Sequence, residues 1–296
     1  MQPVAAPENY KMLFCKMAHV SLNLKDRSFL SNLRTDTWWL YPSMVVFGFT
    51  AFVIYSTWAA FQGDFYWYAG AVPGHGYGGY LSPMYSPPLF WMEGATRGVP
   101  QEEAWFGVWH AWWPQFIKFS PAFFIVGFPL AFRFTCYYYR KAYYRAFAGS
   151  PPGCAVGAIP QKPYKGETGL MIFQNLHRYA MYFAVIFVFI LSYDGVMAFW
   201  RDGKFGVGVG SLVLLINPIF IGAYTFGCHS VRHLVGGQMD CMSCSKLRFG
   251  AWKQVTRLNT KHEMWAWCSL IWVGFTDVYV RLVSMGIWTD FSTWGN

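Results

Sequence analysis

Residues 227–237 read GCHSVRHLVGG and follow an apolar run that contains no charged residue. A thiolate with neutral imidazole suits zinc or an iron–sulfur centre, whereas paired imidazoles suit haem. His229 and His233 are four residues apart, so on a helix they would share one face. On the same helix Cys228 would point about 100° away from His229. One helix is therefore not expected to supply all three side chains to a single metal.

Side chains of the same kinds stand near the ends of other apolar segments. A single membrane cysteine is usually a packing residue, and a single histidine at a helix end is often an interfacial anchor. Ionisable residues at membrane depth are costly, however, and tend to be functional. If several of them converge, they predict a metal or redox centre. The candidate ligands are Cys136, Cys154, His177, Cys228, His229, His233 and His262.

The elements that must position these residues are membrane spans. Only 12% of the 296 residues are charged and 21% are aromatic, whereas about a quarter of a soluble domain is charged. A bilayer core takes roughly 20 apolar residues to cross. The composition therefore predicts an all-α, polytopic membrane protein with five transmembrane helices, at 42–61, 119–136, 171–199, 211–230 and 262–285.

Basic residues predict the orientation of this membrane domain, which we place at 42–292. Most of the 23 Lys and Arg residues lie in the N-terminal segment 1–41 and in the connections after the second and fourth spans. The positive-inside rule then puts the N-terminus in the cytoplasm and the C-terminus outside. The same bias explains the net charge of +9 without a nucleic-acid partner. All seven candidate ligands fall at the cytoplasmic end, and segment 62–118, rich in Gly, Pro and aromatic residues, is expected to form an irregular outer cap.

The remaining cysteines give weaker signals. Seven scattered cysteines do not predict a disulfide framework. Cys241 and Cys244 form a single C-x-x-C motif without a second pair nearby, which we interpret as a loop feature, with a metal or redox role as the less favoured alternative. Cys15 and Cys268 are interpreted as packing residues.

Five stretches of this chain resemble a known family: TCYYYRKAYYRAF, SPPGCAV, QNLHRYAMYFAV, CHSVRHLVGG and QVTRLNTKHEMWAW. They are similar, over about residues 36–292, to the membrane anchor subunit of a non-classical succinate dehydrogenase, the five-helix respiratory complex II of mycobacteria and other bacteria. The resemblance implies a bacterial inner-membrane subunit that does not oxidise succinate by itself. It also implies flavoprotein and iron–sulfur subunits in the cytoplasm, with segment 1–41 docking on the latter, and leaves a higher oligomer open.

The resemblance further implies a Rieske-type [2Fe–2S] cluster inside the membrane, held by two Cys and two His, which passes electrons to quinone. The family often reads CHSCRH, but this chain has Val231, which cannot supply a thiolate. The set favoured on resemblance and same-side placement is Cys136 and Cys154 with His177 and either His229 or His233. Cys228 and His262 are the reserves.

Quinone and proton chemistry would need further residues. Arg178, Tyr179 and Trp265 lie near the proposed relay in sequence and are candidates for quinone binding, although interfacial anchoring explains them equally well. Asp194 and Asp277 lie deep in spans three and five. They are interpreted either as helix-end residues near the outer surface or, as the sharper hypothesis, as parts of a proton path.

Two alternatives remain at this point. Pairs among the candidate histidines would let the same anchor bind haem b in place of an iron–sulfur cluster. The second alternative is of another class, a membrane transporter or channel with a structural zinc site. The absence of an internal repeat and the scarcity of mid-membrane charges argue against it.

Overall fold

The structure is a computed structural model that describes residues 28–69, 79–109, 120–159, 170–201, 203–237, 240–241 and 244–294. Cys15, His19, His75 and His110 lie outside the described residues. The described part is mostly helical, which confirms the all-α prediction. Its helices are α1 (Leu40–Gln62), α2 (Ala122–Thr135), α3 (Tyr137–Ala146), α4 (Leu170–Met197), α5 (Val209–Phe226), α6 (His229–Gly236), α7 (Lys246–Thr260) and α8 (His262–Ser284).

Four helices, α1, α4, α5 and α8, are long and apolar enough to cross a membrane. They correspond to the first, third, fourth and fifth predicted spans. The second predicted span, 119–136, corresponds to α2, which has 14 residues and is about 21 Å long, less than the roughly 30 Å hydrocarbon core. The count of five spans and their orientation therefore stay predictions.

The fourth span ends earlier than predicted, and this changes the geometry of its ligands. Helix α5 ends at Phe226, and Cys228 adopts an extended backbone with φ −68° and ψ 146° as the N-cap of the separate helix α6. The angle of about 100° expected between Cys228 and His229 assumed one continuous helix, so that prediction is wrong. Because of this break, the buried Cys228 thiol lies against His177 and is not part of the helix that carries His229 and His233.

Two amphipathic helices that the sequence analysis did not predict, α3 and α7, follow α2 and α6. Helix α7 packs on α6, where the Arg232 guanidinium lies 4.9 Å from the centroid of the Trp252 ring. The Asn259 amide donates to the carbonyl of Gly227 at 2.8 Å, and Arg248 donates to that of Gly237 at 2.8 Å. These bonds satisfy carbonyls at the C-terminal ends of α5 and α6, which have no helical partner.

The described part of segment 62–118 packs around its own aromatic core, and we refer to it as the cap. The short strands β1 (Trp67–Tyr68) and β2 (Tyr80–Leu81) pair antiparallel, and the Tyr66 and Tyr85 rings stack with centroids 4.0 Å apart. These tyrosines are buried with Ala59 and Ala60 at the end of α1. Apart from the short strand pair and a 3₁₀ turn at Gln101–Glu103, the described residues of this segment have irregular backbone.

A buried ion pair ties the cap to α8. Arg281 Nε donates to Asp277 Oδ2 at 2.7 Å, and the two side chains are 2% and 0% exposed. The guanidinium also donates to the carbonyls of Ala59 at 3.0 Å and Asp64 at 2.8 Å. The carboxylate accepts further bonds from two hydroxyls, those of Tyr55 and Ser82. Both charges are thus compensated within the protein, as buried charges require.

The chain divides into two compact units, one of residues 1–46 and 141–166 and the other of residues 47–140 and 167–296. Within the first unit, the Gly157 amide donates to the Ser31 carbonyl at 2.9 Å. Arg34 Nη1 donates to the Cys154 carbonyl at 3.0 Å, and the Cys154 side chain is exposed. The Cys154 backbone, rather than its thiol, therefore takes part in the contacts of this unit.

Candidate redox centre

Four candidate ligands meet in two thiol–imidazole contacts. Cys136 Sγ lies 3.7 Å from His262 Nε2, and Cys228 Sγ lies 2.9 Å from His177 Nε2. All four side chains are buried. They come from the end of α2, the start of α8, the first turns of α4 and the break between α5 and α6, so residues far apart in sequence meet at one end of the helices.

His177 is held in a defined orientation. Its ring stacks on Phe132 with centroids 4.6 Å apart, and its Nδ1 lies 2.9 Å from Thr135 Oγ1. Thr135 Oγ1 donates its single hydrogen to the Ala131 carbonyl at 2.7 Å, so this bonding pattern assigns the ring proton to His177 Nδ1. The lone pair of Nε2 then faces Cys228. Metal-binding histidines are usually anchored through the other ring nitrogen in this way.

His262 occupies a matching position at the start of α8. Its ring stacks on Tyr224 with centroids 4.9 Å apart, and its Nε2 faces Cys136. The second ring nitrogen, Nδ1, is buried and has no hydrogen-bond partner among the described residues. A buried polar atom without a partner is unfavourable, and a metal ion would relieve that cost.

The Cys228 thiol is positioned by its own helix start. Its sulfur accepts a weak hydrogen bond from the Ser230 amide at 3.4 Å. Burial raises the pKa of this thiol to about 11, so at neutral pH it keeps its proton when no metal is present. Metal binding would displace that proton, because a cysteine ligand must be a thiolate.

Aromatic rings connect the two contacts, and we refer to the four side chains together as the cluster. The Phe132 ring stacks on His177 and lies with its centroid 5.3 Å from that of Tyr224, which stacks on His262. In the part of the chain that the structure describes, no group of three or more His, Cys, Asp or Glu side chains is placed to hold a single metal ion. Two thiols and two imidazoles are also the donor types of a Rieske-type [2Fe–2S] centre, in which two Cys hold one iron and two His hold the other.

A half-buried cation adjoins this cluster. Arg133 lies three residues before Cys136, donates to the Tyr139 hydroxyl at 2.6 Å and to Ser269 Oγ at 3.0 Å, and interacts electrostatically with His262. Its guanidinium is 4.9 Å from the centroid of the Tyr224 ring. Across the described ranges no carboxylate forms an ion pair with Arg133, and its partners are neutral groups. A buried charge usually needs an opposite charge nearby, so this surrounding favours an anionic group at the cluster.

The other sequence-predicted ligands are exposed. His229 and His233 both stand on α6 with exposed side chains. His229 interacts electrostatically with His177 and His262 but makes no direct contact with them in the described structure. The thiol of Cys154 is exposed within the first unit. The contacts thus favour Cys228 and His262, which the sequence analysis kept in reserve.

The three candidate quinone residues separate in the structure. Arg178 lines a small cavity of about 160 Å³ together with His233, Arg248 and Met181. Tyr179, the next residue on α4, has a side chain that is 65% exposed and does not line this cavity.

Trp265 is half-buried on α8, and its indole N–H is buried without a partner among the described residues. It does not line the cavity of Arg178 either. Of the three residues, the described geometry gives only Arg178 a place in the wall of a cavity beside the cluster.

Other residues singled out in the sequence have defined environments. Cys241 and Cys244 form a disulfide in the loop between α6 and α7. The sequence analysis interpreted these two residues as a loop feature and did not predict a disulfide framework. Cys268 is half-buried with a free thiol. Asp277 is held in the ion pair with Arg281, and Asp194 accepts a hydrogen bond from Ser86 and lines a second cavity. A role of either acid in a proton path stays a prediction.

The sequence analysis missed the residues that position the ligands. Thr135, Phe132 and Tyr224 orient the two imidazoles, and Arg133 supplies a charge beside them. The sequence did contain a signal for two of them, because Arg133 and Thr135 lie three residues and one residue before Cys136 in an apolar segment, where an arginine is costly.

Comparison with known proteins supports one family. Residues 40–286 match the family model of the actinobacterial succinate dehydrogenase subunit SdhC. Among solved structures, the chain is similar to a chain of the Mycobacterium smegmatis Sdh1 complex in the apo form, with 40% sequence identity and a TM-score of 0.74. That match covers 90% of this chain and 96% of the other. No match was found among curated proteins. Because the family match spans most of its length, this chain belongs to the actinobacterial succinate dehydrogenase subunit SdhC family and is a membrane anchor subunit of that complex.

Proposed function

We propose that this anchor carries electrons from a cytoplasmic iron–sulfur subunit to quinone in the bacterial inner membrane, through a Rieske-type [2Fe–2S] centre held by Cys136, Cys228, His177 and His262. The observation that supports this proposal is the pair of buried thiol–imidazole contacts at 2.9 Å and 3.7 Å. When bound, such a centre takes up and gives away one electron at a time, and its net charge changes by one.

The chain's own residues have separate tasks in this proposal. Thr135 keeps the Nδ1 proton of His177 in place and leaves Nε2 free to bind metal. The Phe132 and Tyr224 rings orient the imidazoles and help to exclude water. Arg133, whose charge has no carboxylate partner in the described part, stabilises added negative charge. A cation in a site of low dielectric constant acts more strongly than one in water.

The alternatives fit these contacts less well. Haem b takes two imidazoles and no thiolate, whereas two buried thiols lie against the two buried imidazoles here. A structural zinc ion needs four ligands around one point, and the described residues form pairs instead. The donor set therefore favours an iron–sulfur centre over haem b, and over the zinc site of a transporter.

The site of quinone reduction that we propose is the small cavity beside the cluster. Arg178 and Arg248 line it and can donate hydrogen bonds to a quinone carbonyl, while Met181, Tyr182 and Leu234 supply apolar contacts. Helix α6 joins the two sites, because its N-cap is Cys228 and its residue His233 lines the cavity. A quinone head group bound there would lie close to the proposed centre.

The basic end of the helices is the surface that we propose for docking of the flavoprotein and iron–sulfur subunits. The proposal also includes the segment 1–41, most of which lies outside the described residues. Basic side chains of this end attract an acidic surface and accelerate association. Accessible basic side chains at the end that the charge bias assigns to the cytoplasm include Arg232, Lys246, Lys253, Arg257 and Lys261.

Replacing Arg178 with leucine is expected to raise the KM for quinone roughly ten-fold or more, because a hydrogen bond from a charged donor contributes about 1.5–3 kcal/mol. Tyr179→Leu is the matched control, since Tyr179 is adjacent on α4 but does not line the cavity. Steady-state succinate:quinone kinetics of the purified complex measure both. Equal effects of the two substitutions would remove the cavity from quinone binding.

Spectroscopy of the purified complex tests the proposal as a whole. We expect the chain to copurify with flavin-containing subunits and to show, after reduction, the electron paramagnetic resonance signal of a His-ligated [2Fe–2S] centre. The visible spectrum should contain broad weak bands. A sharp Soret band with stoichiometric haem would favour haem b instead, and purification without flavin-containing subunits would contradict the anchor role.

A further inference from the structure

A buried hydroxyl at the edge of the cluster has no part in the relay described above. Tyr224 lies in the last turn of α5, is 1% exposed and stacks its ring on His262. Its hydroxyl oxygen is also buried, and it makes no hydrogen bond of normal geometry with any residue that the structure describes. An unpaired buried hydroxyl is unfavourable, so this group needs an acceptor.

The acceptor that the structure offers is the sulfur of Cys136. The Tyr224 hydroxyl is close enough to the Cys136 side chain to interact with it as a hydrogen-bonding group. Both residues also contact the same imidazole, since the His262 ring stacks on Tyr224 with 18° between the planes and its Nε2 lies 3.7 Å from Cys136 Sγ. Cys136 is 2% exposed, so bulk water has little access to this pair.

The other hydroxyl in this aromatic group is already used. Tyr139 lies with its ring centroid 5.9 Å from that of Tyr224. Its hydroxyl donates to the Ala266 carbonyl at 2.6 Å and accepts a bond from Arg133 Nη1 at 2.6 Å. Two buried tyrosines therefore lie side by side with different partners, because one hydroxyl binds a carbonyl and a guanidinium and the other faces sulfur.

The charge of the sulfur decides how good an acceptor it is. A neutral thiol is a weak acceptor, whereas a hydrogen bond to an ionised acceptor is shorter and roughly twice as strong. Cys136 must lose its proton to bind iron. The Arg133 guanidinium, 4.9 Å from the centroid of the Tyr224 ring, polarises that ring and makes its hydroxyl a stronger donor. The unpaired hydroxyl thus gains a strong acceptor when the metal binds.

We infer that the Tyr224 hydroxyl donates a hydrogen bond to the Cys136 thiolate of the proposed centre and thereby raises its reduction potential. Hydrogen bonds to the cysteine sulfurs are one of the factors that set the potential of an iron–sulfur cluster. An added electron increases the negative charge, which strengthens this bond and favours electron uptake from the iron–sulfur subunit. Tyr224 keeps its proton throughout, and no covalent bond forms or breaks. The inference rests on the proposed function, which makes Cys136 a ligand.

Tyr224→Phe in the whole complex tests this inference, because it removes one oxygen and keeps the ring that stacks on His262. Potentiometric titration followed by electron paramagnetic resonance gives the midpoint potential of the centre. We expect the equilibrium constant for its reduction to fall about ten-fold, which is about 59 mV for a one-electron couple. A ring-fluorinated tyrosine incorporated at position 224 is a stronger donor and should raise the potential instead. The amount of centre per complex should be unchanged in both variants.

Tyr139→Phe is the matched control, since it also removes one buried phenolic oxygen but leaves the contact between Tyr224 and sulfur in place. Its midpoint potential should stay close to that of the wild type.

Three results would overturn the role of the Tyr224 hydroxyl and leave the proposed function intact. They are equal potentials of Tyr224→Phe and the wild type, equal shifts in Tyr224→Phe and Tyr139→Phe, and a lower potential with the fluorinated tyrosine. Absence of a His-ligated [2Fe–2S] signal from the wild-type complex would instead refute the proposed function.

Discussion

Replacing Cys228 with serine is expected to abolish the iron–sulfur signal of the reduced complex and to lower quinone reduction by more than about 100-fold. Loss of partners outside the first ligand shell typically costs roughly 10- to 100-fold, and loss of a ligand itself should cost more. His177→Ala should act in the same way, because its Nε2 faces Cys228 at 2.9 Å. Succinate oxidation with a soluble dye acceptor should be unchanged, since electrons then leave before they reach the anchor.

Cys154→Ser is the matched control for Cys228→Ser. The two cysteines compete for the same ligand position, but Cys154 is exposed and Cys228 is buried against His177. His229→Ala is the control for His177→Ala, because His229 is exposed and has no direct contact with the cluster in the described structure. Retention of the signal in Cys228→Ser and its loss in Cys154→Ser would reverse the ligand assignment. A normal signal and normal quinone reduction in His177→Ala would remove His177 from the relay.

Replacing Arg281 with methionine is expected to destabilise the anchor by about 3–5 kcal/mol, the usual effect of removing one partner from a buried ion pair. The fully buried Asp277 would lose its ion-pair partner, and the carbonyls of Ala59 and Asp64 would lose a donor. The cap and α8 should then separate at a lower temperature. Thermal unfolding of the purified complex in detergent measures the change.

Two companion variants identify the cause of that loss. Arg97→Met removes an exposed arginine from the described part of the cap and should change stability by less than about 0.5 kcal/mol. The double variant Asp277→Leu with Arg281→Met removes both charges and should recover part of the stability lost in the single variant, because paired apolar replacements avoid an isolated buried charge. Equal unfolding temperatures for Arg281→Met and Arg97→Met would show that the ion pair does not hold the cap.

Much of the fold could be predicted because the signal was local. A run such as LVLLINPIFIGAY has no charge over a length that can cross a bilayer, and a helix is the structure that satisfies such a backbone in lipid. Four predicted spans therefore correspond to long helices within a few residues at each end. Helices α3 and α7 were missed because they combine basic and apolar residues and have no long apolar run.

The candidate site could be predicted only as a set of residue types. The chain by itself determined that thiols and imidazoles gather at one end of a helical bundle, because composition and charge bias are properties of the sequence alone. Tertiary structure alone decided which of them meet. The contact between Cys228 and His177 depends on the break after Phe226, and that between Cys136 and His262 on the approach of α2 to α8. Such contacts arise from the packing of distant segments, and no spacing along one helix specifies them.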